Sequence, residues 1–234
     1  MLTGCRVSLG IGLTLLVTLS PAVGQPPSSD AGRPPSPDSP AQTPERLQVV
    51  LRPGPPVRVT VYRHIGNARQ QVGPVLTYRH RGKMASAADI DGDGRLDLLV
   101  LVYKTTRYDP RPGWRPFVYT LQDGQWAPKW LGSRVGRPLE EAALMRTPAG
   151  VRLLTIERCG SSQTVLTLYH WRGFGFWGEW TGAPTEPLSG LQADDSNGDG
   201  VDEVSAVSSD GRRHSFLYQD GGYVEAHLAG GVRP

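Results

Sequence analysis

Two short acidic segments have the residue types and spacing best suited to chemistry, and they share one nine-residue pattern. Loop I is DIDGDGRLD (residues 89–97) and loop II is DSNGDGVDE (residues 195–203). In both loops, side chains with oxygen atoms occupy positions 1, 3, 5 and 9, and glycine occupies positions 4 and 6. A hard cation such as calcium takes about six to eight oxygens, and alternate residues of a tight loop can surround one centre. The pattern therefore predicts one calcium site in each loop.

The predicted ligands are side-chain oxygens together with one backbone carbonyl in each loop. In loop I they are Asp89, Asp91, Asp93, Asp97 and the carbonyl of Arg95. In loop II they are Asp195, Asn197, Asp199, Glu203 and the carbonyl of Val201. Glycine at position 6 permits the sharp turn that such a loop requires. Position 12 is Val100 or Ala206, where an EF-hand needs a bidentate Glu, so neither loop is an EF-hand.

A strand-like segment follows each loop directly. Residues 98–103 (LLVLVY) are apolar on both faces, whereas residues 204–207 (VSAV) alternate. We therefore expect the last carboxylate of each loop to lie at the start of a strand.

Turn glycines recur along the chain and divide it into repeated units. Hairpin turns are predicted at Gly66, Gly124, Gly173 and Gly221, at spacings of 58, 49 and 48 residues. Between the two acidic loops, Gly150 precedes another strand-like segment, but the side-chain oxygens at positions 1, 5 and 9 are missing there. The sequence thus predicts four units, two of which keep an acidic loop.

The two loops resemble those of the FG-GAP and VCBS repeat family, which forms the blades of integrin-type β-propellers. Loop I fits the family pattern D-x-D-G-D-G-x-x-D at every position, and loop II fits the variant with Asn and Glu. The repeat resemblance covers residues 46–229, and its specific part is the two loops. The family implies blades of four antiparallel strands, with calcium bound in loops on one rim.

We predict an all-β fold, a β-propeller-like repeat of about four antiparallel blades. The 29 glycines and 21 prolines in 234 residues argue against a helical bundle. Closed propellers have about four to eight blades, and the family commonly has the larger numbers. Four units leave open a complete small ring, a partial propeller, a twisted β-sandwich or a ring completed by a second chain.

Three regions follow from composition. Residues 1–24 are predicted to be a signal peptide, because Arg6 precedes an uncharged apolar run and small residues precede the expected cleavage after Gly24. Residues 25–45 are rich in proline and polar residues and are predicted to be a disordered linker. Residues 46–234 would form the repeat domain. We expect a secreted, periplasmic or cell-envelope protein, with membrane attachment only if the signal stays uncleaved.

The remaining residues restrict the choice of function. The formal net charge of +3, together with export, argues against nucleic acid as a partner. The five histidines have no metal-ligand spacing, and no Ser/His/Asp, phosphate-loop or dinucleotide motif is present. Cleavage of the signal removes Cys5, so the lone Cys159 is expected to be a plain thiol.

Two other segments could contact a partner. The connection from Tyr103 to Pro116 mixes cationic and aromatic side chains, and it is either a binding surface or a solvated insert. The aromatic group of residues 171–180 is either core or an exposed binding face.

Two functions are consistent with these features. The first is an exported, noncatalytic calcium-binding module that binds a protein or glycan outside the cytoplasm. The alternative is a propeller-type hydrolase or lyase in which the calcium loops are only structural. A spacer or assembly role is a third, simpler possibility.

Overall fold

The computed structural model describes residues 13–18, 46–54 and 56–226. All regular structure in these residues is β-strand, and every strand pairing is antiparallel. The predicted all-β class is therefore confirmed. No helix in this part of the chain is long and apolar enough to cross a membrane.

The strands follow one another as four consecutive meanders of four strands each. The first consists of β1 (Leu13–Thr18), β2 (Arg46–Arg52), β3 (Val57–Ile65) and β4 (Ala68–Tyr78). The second consists of β5 (Arg81–Ala88), β6 (Asp97–Lys104), β7 (Gly113–Gln122) and β8 (Gln125–Leu131). The third consists of β9 (Leu139–Thr147), β10 (Gly150–Cys159), β11 (Gln163–Trp171) and β12 (Phe176–Thr181). The fourth consists of β13 (Leu188–Asp194), β14 (Glu203–Ser208), β15 (Arg213–Gln219) and β16 (Gly222–Glu225).

The predicted turn glycines all lie between the third and fourth strands of their meanders. Asp123 and Gly124 have φ angles of 51° and 73°, and Asp220 and Gly221 have φ angles of 50° and 83°. Two consecutive residues with positive φ are characteristic of the type I′ turn, whose twist matches that of a hairpin. The Asp-Gly pairs in the sequence therefore mark these hairpins correctly.

The acidic loops occupy a second repeated position, between the first and second strands of a meander. Loop I connects β5 to β6, and loop II connects β13 to β14. Asp97 and Glu203 are the first residues of β6 and β14, as the sequence predicts. Gly150 lies at the same position in the third meander, at the turn between β9 and β10.

In the described residues, three apolar cores separate the four meanders. The first core, between the first and second meanders, includes Val59 and Val100. The second core, between the second and third meanders, includes Leu101 and Leu153. The third core, between the third and fourth meanders, includes Leu154 and Val204. The meanders therefore pack face to face in chain order, and each inner meander contributes residues to two cores.

This packing explains why the two strands after the acidic loops have different compositions. On β6, Leu98 and Val100 enter the first core, while Leu99 and Leu101 enter the second. On β14, Val204 and Ala206 are buried, whereas Ser205 between them is partly exposed. A strand buried on both faces must be continuously apolar, and a strand buried on one face alternates.

The sheets are open. The second and third meanders join into one eight-stranded sheet through the pairing of Trp114 on β7 with Leu139 on β9. Among the described residues, no strand pairing connects the fourth meander to the first. The structure thus shows stacked antiparallel sheets, and it shows no ring closed by hydrogen bonds between strands.

The N-terminal strand lies inside the predicted signal peptide. The backbone of β1 pairs with β2 along its whole length, from Leu13 opposite Leu51 to Thr18 opposite Arg46. Cleavage after Gly24 would leave β2 as the edge strand of a three-stranded first meander. Apart from β1, the predicted signal peptide and linker lie outside the described residues, as do residues 227–234.

Candidate metal centre

Loop I is folded around the carboxylate of Asp89, at position 1. Its Oδ1 accepts hydrogen bonds from the backbone N–H groups of Gly92 (2.8 Å) and Asp93 (3.2 Å). Its Oδ2 accepts one from the N–H of Gly94 at 2.9 Å. Gly92 and Gly94 have φ angles of 75° and 80°, which a residue with a side chain adopts only with strain. The glycines therefore shape the loop, and Asp89 fixes that shape.

Three of the predicted ligands of loop I come together. Asp89, Asp91 and Asp97 each place one carboxylate oxygen within 4.8 Å of the others. A fourth residue, Lys129 on β8, contacts two of these carboxylates. Its Nζ lies 2.8 Å from Asp91 Oδ2, and it donates hydrogen bonds to both oxygens of Asp97, at 3.0 and 2.9 Å. The cluster of carboxylates thus already contains one positive charge from the protein itself.

Asp97 is the most strongly constrained member of this cluster. Its side chain is fully buried, and Oδ2 also accepts a hydrogen bond from the N–H of Ile90 at 3.1 Å. Burial raises the pKa of Asp97, although the hydrogen bonds from Lys129 and Ile90 act in the opposite direction. Burial acts to lower the pKa of Lys129, but its contacts with Asp91 and Asp97 outweigh that effect and raise it.

Asp93, at the fifth position of loop I, bonds to another residue of the same loop. Asp93 accepts hydrogen bonds from the backbone N–H and the guanidinium of Arg95, its neighbour two residues later. The bond to the Arg95 side chain, and then that to its backbone N–H, lowers the pKa of Asp93. Asp93 is not part of the three-carboxylate cluster. Of the side chains predicted for loop I, three converge in the structure, and Asp93 instead pairs with Arg95.

Loop II has the same backbone turns but a different centre. Gly198 and Gly200 have φ angles of 79° and 86°, close to those of the equivalent glycines in loop I. Asp195 Oδ2 accepts the N–H of Gly200 at 3.0 Å, which matches the bond from Gly94 to Asp89. Asp195 Oδ1, however, is buried and has no hydrogen-bond partner among the described residues. A buried carboxylate oxygen without a donor is costly and is a natural position for a cation.

The other side chains predicted for loop II bond to one another. Asn197 donates from Nδ2 to Asp199 Oδ2 (3.1 Å) and to Glu203 Oε1 (2.6 Å). The other oxygen of Glu203 accepts from the N–H and the hydroxyl of Ser196, at 2.8 and 2.6 Å. Val201, predicted for its carbonyl, donates its N–H to Asp199. In loop II, neutral donors of the loop itself thus bond to the carboxylates, whereas in loop I the donor is the charged Lys129.

The guanidinium of Arg146 lies beside loop II and pairs with Asp202, which was not among the predicted ligands. Arg146, at the end of β9, donates from Nε and Nη2 to Asp202 Oδ1 at 3.0 and 2.6 Å. The backbone of Arg146 also bonds reciprocally with Asp202. Its guanidinium lies 3.7 Å from Asp195, beyond hydrogen-bonding distance. Arg146 therefore neutralises Asp202, at position 8, and ties loop II to the third meander.

Sequence reasoning missed the residues that supply charge to the loops from outside. Lys129 and Asp97 are 32 residues apart, and Arg146 and Asp202 are 56 residues apart. No local pattern links such positions. The only available signal was that Asp202 adds an extra carboxylate at position 8, where loop I has Leu96.

The weaker sequence candidates divide between core and surface. In the aromatic group, Phe176 is buried against Trp171 and Trp130, whereas Phe174 and Trp177 are exposed. Cys159 is a free, half-buried thiol. The connection from Tyr103 to Pro116 borders a cavity that is considered below.

Comparison with protein-family models found no match to this chain, and comparison with curated proteins found none either.

Proposed function

We propose that the chain is an exported, noncatalytic calcium-binding β-repeat protein that binds a protein or glycan partner at the cell envelope. In this proposal its meanders are blades of a partial propeller of the FG-GAP and VCBS type. The observation that carries it is the proximity of Asp89, Asp91 and Asp97, each of which places one carboxylate oxygen within 4.8 Å of the others.

The donor chemistry of loop I supports calcium. All three converging groups are carboxylates, and hard oxygen ligands suit calcium rather than softer metals. Three carboxylates at this separation repel one another unless a cation lies among them. The ammonium group of Lys129 shows that the cluster accommodates a positive charge, and calcium would have to displace it or share the carboxylates with it.

The donor chemistry of loop II supports calcium by a different observation. The unpartnered Oδ1 of Asp195 is buried in a loop that also contains Asp199 and Glu203. Among the described residues, no lysine or arginine donates a hydrogen bond to any of these three side chains, and the guanidinium of Arg146 stays 3.7 Å from Asp195. A bound calcium ion would satisfy the oxygen that the protein leaves without a donor. We therefore propose loop II as a second site.

The arrangement of the meanders supports the propeller part of the proposal. The first strands β5, β9 and β13 contact one another in chain order, as the inner strands of successive blades do. Buried Glu141 on β9 reinforces this contact, because it pairs with Lys83 on β5 (2.9 Å) and accepts the N–H of Leu191 on β13 (2.7 Å). Both acidic loops follow first strands, at β5 and β13.

Thermal unfolding of the purified protein in a calcium titration tests this proposal. Extracellular calcium modules bind with Kd values of about 10⁻⁴ to 10⁻³ M. At 100 times Kd, one site contributes about 2.7 kcal/mol, which corresponds to a rise in Tm of about 5–10 °C. The Asp91→Ala/Asp199→Ala variant should lose this rise. The charge-matched variant Glu179→Ala/Glu186→Ala should keep it, and magnesium at the same concentration should not replace calcium.

Equal melting temperatures in excess chelator and in calcium would show that the calcium proposal is wrong. The loops would then be acidic turns, and the hydrolase or lyase hypothesis would be the next to test. Single variants in each loop extend the experiment, because loss of the calcium effect in Asp199→Ala alone would identify loop II as the occupied site.

A further inference from the structure

A cavity beside the connection from Tyr103 to Pro116 has an unusual concentration of arginine. It measures about 300 Å³ and lies between the second and third meanders. Five arginines line this arginine cleft, and they come from three separate parts of the chain: Arg111 and Arg115, Arg134 and Arg137, and Arg158. Because the fold brings them together from distant positions, the cleft is a property of the tertiary structure.

One carboxylate is shared by three of these arginines. Asp109 accepts hydrogen bonds from Arg115 (2.8 Å) and Arg111 (3.2 Å), and Arg134 also contacts it. The hydrogen bond from Arg115, followed by the contacts with Arg111 and Arg134, holds the pKa of Asp109 well below its ordinary value. Three guanidinium groups around one carboxylate leave a net positive charge, which attracts a second anion.

Of the other two arginines, Arg158 pairs with Glu140, a carboxylate that also lines the cleft. Arg137 is half exposed, and its Nη1 lies 3.8 Å from the buried Glu157. The carboxylate of Glu157 already accepts the hydroxyl of Tyr169 and the backbone N–H of Arg137. Arg115 is almost fully buried, yet its Nε has no hydrogen-bond partner among the described residues. The cleft thus contains guanidinium donors beyond those that its own carboxylates use.

We propose that the arginine cleft binds an oxyanion group, a sulfate, phosphate or carboxylate, of the partner. Guanidinium groups hold such groups by paired, charge-assisted hydrogen bonds, and several arginines can surround one oxyanion. A second cavity of about 540 Å³ shares Trp114 with the cleft and is bordered by Arg79, Arg81 and Lys83. Lys83 is paired with Glu141, but Arg79 and Arg81 would favour a ligand with more than one anionic group. The inference deepens the binding role proposed above, since it names the ligand chemistry, and it does not depend on calcium.

The test compares anion binding by wild-type protein and two variants of equal net charge. Arg134→Gln/Arg137→Gln removes two donors of the cleft, and Arg58→Gln/Arg212→Gln removes two exposed arginines of the first and fourth meanders. Titration calorimetry with sodium sulfate, sodium phosphate and sodium glucuronate, at constant ionic strength in calcium-free buffer, measures the affinities. Sulfate and phosphate also stabilise folded proteins by exclusion from the surface, so the decisive quantity is the difference between variants.

We expect at least one of the three anions to bind wild-type protein and the Arg58→Gln/Arg212→Gln variant equally. Its affinity for the Arg134→Gln/Arg137→Gln variant should be at least tenfold weaker. Equal losses in the two variants, or no heat of binding with any of the anions, would overturn the proposal. The anion that binds most tightly distinguishes a sulfated, phosphorylated or carboxylated partner.

Two further measurements keep the test decisive. If the cleft variant does not fold, phenylglyoxal labelling of wild-type protein replaces it. The anion should then slow modification of Arg134 and Arg137 but not of Arg58 and Arg212, and equal labelling with and without the anion contradicts the proposal. The Asp91→Ala/Asp199→Ala variant should keep full anion affinity, so that failure of the calcium proposal and failure of this one can be told apart.

Discussion

Loop I and loop II share one nine-residue pattern and similar glycine φ angles, but they neutralise their carboxylates in different ways. In loop I, Lys129 donates hydrogen bonds to the fully buried Asp97 and pairs with Asp91. In loop II, Glu203 bonds to Ser196 and Asn197, and Asp195 has a buried oxygen that receives no hydrogen bond from the described residues. The comparison shows that a repeated motif fixes the turns of a loop. The surrounding residues decide how far the protein itself neutralises the carboxylates of that loop.

The position of each loop in the fold explains the difference. Loop I belongs to the second meander, which is covered on both faces, so its last carboxylate is buried at the start of β6. Loop II belongs to the fourth meander, and its last carboxylate, that of Glu203, is partly exposed. Burial of a carboxylate demands a partner charge, whereas water and neutral donors suffice for an exposed one.

The largest expected difference between the loops is in how much the residue at position 9 contributes to the free energy of unfolding. Asp97→Ala should lower the free energy of unfolding by about 3 kcal/mol, because it leaves the mostly buried Lys129 with one partner fewer. Glu203→Ala should cost under about 1 kcal/mol, because its partners are exposed and can bond to water. Urea unfolding in calcium-free buffer measures both. Equal costs would contradict the contrast between the two loops.

A second expected difference is in calcium affinity. Lys129→Met keeps much of the side-chain volume but removes the positive charge that the proposed calcium ion would have to displace in loop I. We expect loop I to bind calcium about tenfold more tightly, which corresponds to about 1.4 kcal/mol. Calorimetry on the Asp199→Ala background isolates this site. Lys104→Met removes a lysine of β6 that lies over the ring of Phe117, and it should leave the affinity unchanged. An affinity that Lys129→Met does not raise would show that the lysine does not compete.

The smallest expected effect is one that the two loops share. Gly94→Ala and Gly200→Ala should each cost about 1 kcal/mol, because both positions require positive φ while no atom lies within 4 Å of an added Cβ. Gly113→Ala is the matched control, since its Cβ also meets nothing and its φ lies outside the positive range. Urea unfolding of the three variants checks this. A much larger cost in one loop would show that the backbones are less alike than their φ angles indicate.

Local sequence patterns predicted much of this structure. The Asp-Gly turns at Asp123 and Asp220 and the strands that begin at Asp97 and Glu203 follow from short-range chemistry, in which glycine permits positive φ and alternation reflects burial. The convergence of Asp89, Asp91 and Asp97 was also predicted from spacing alone. These features depend on residues within about ten positions of one another along the chain.

Contacts between distant residues were beyond the reach of such patterns. The arginine cleft was visible only in part, as the cationic and aromatic residues between Tyr103 and Pro116. The other arginines of the cleft come from later in the chain and needed the fold to be recognised.

The sequence by itself determined the all-β class, the hairpin turns and the glycine turns of both loops, because each depends on backbone preferences and on the alternation of neighbouring side chains. Only the tertiary structure decided which carboxylates receive a cation from the protein. Lys129 reaches loop I across the width of one meander, and Arg146 reaches Asp202 from the next one. Electrostatic interactions depend on distance in space and on burial, and neither quantity can be read from separation along the chain.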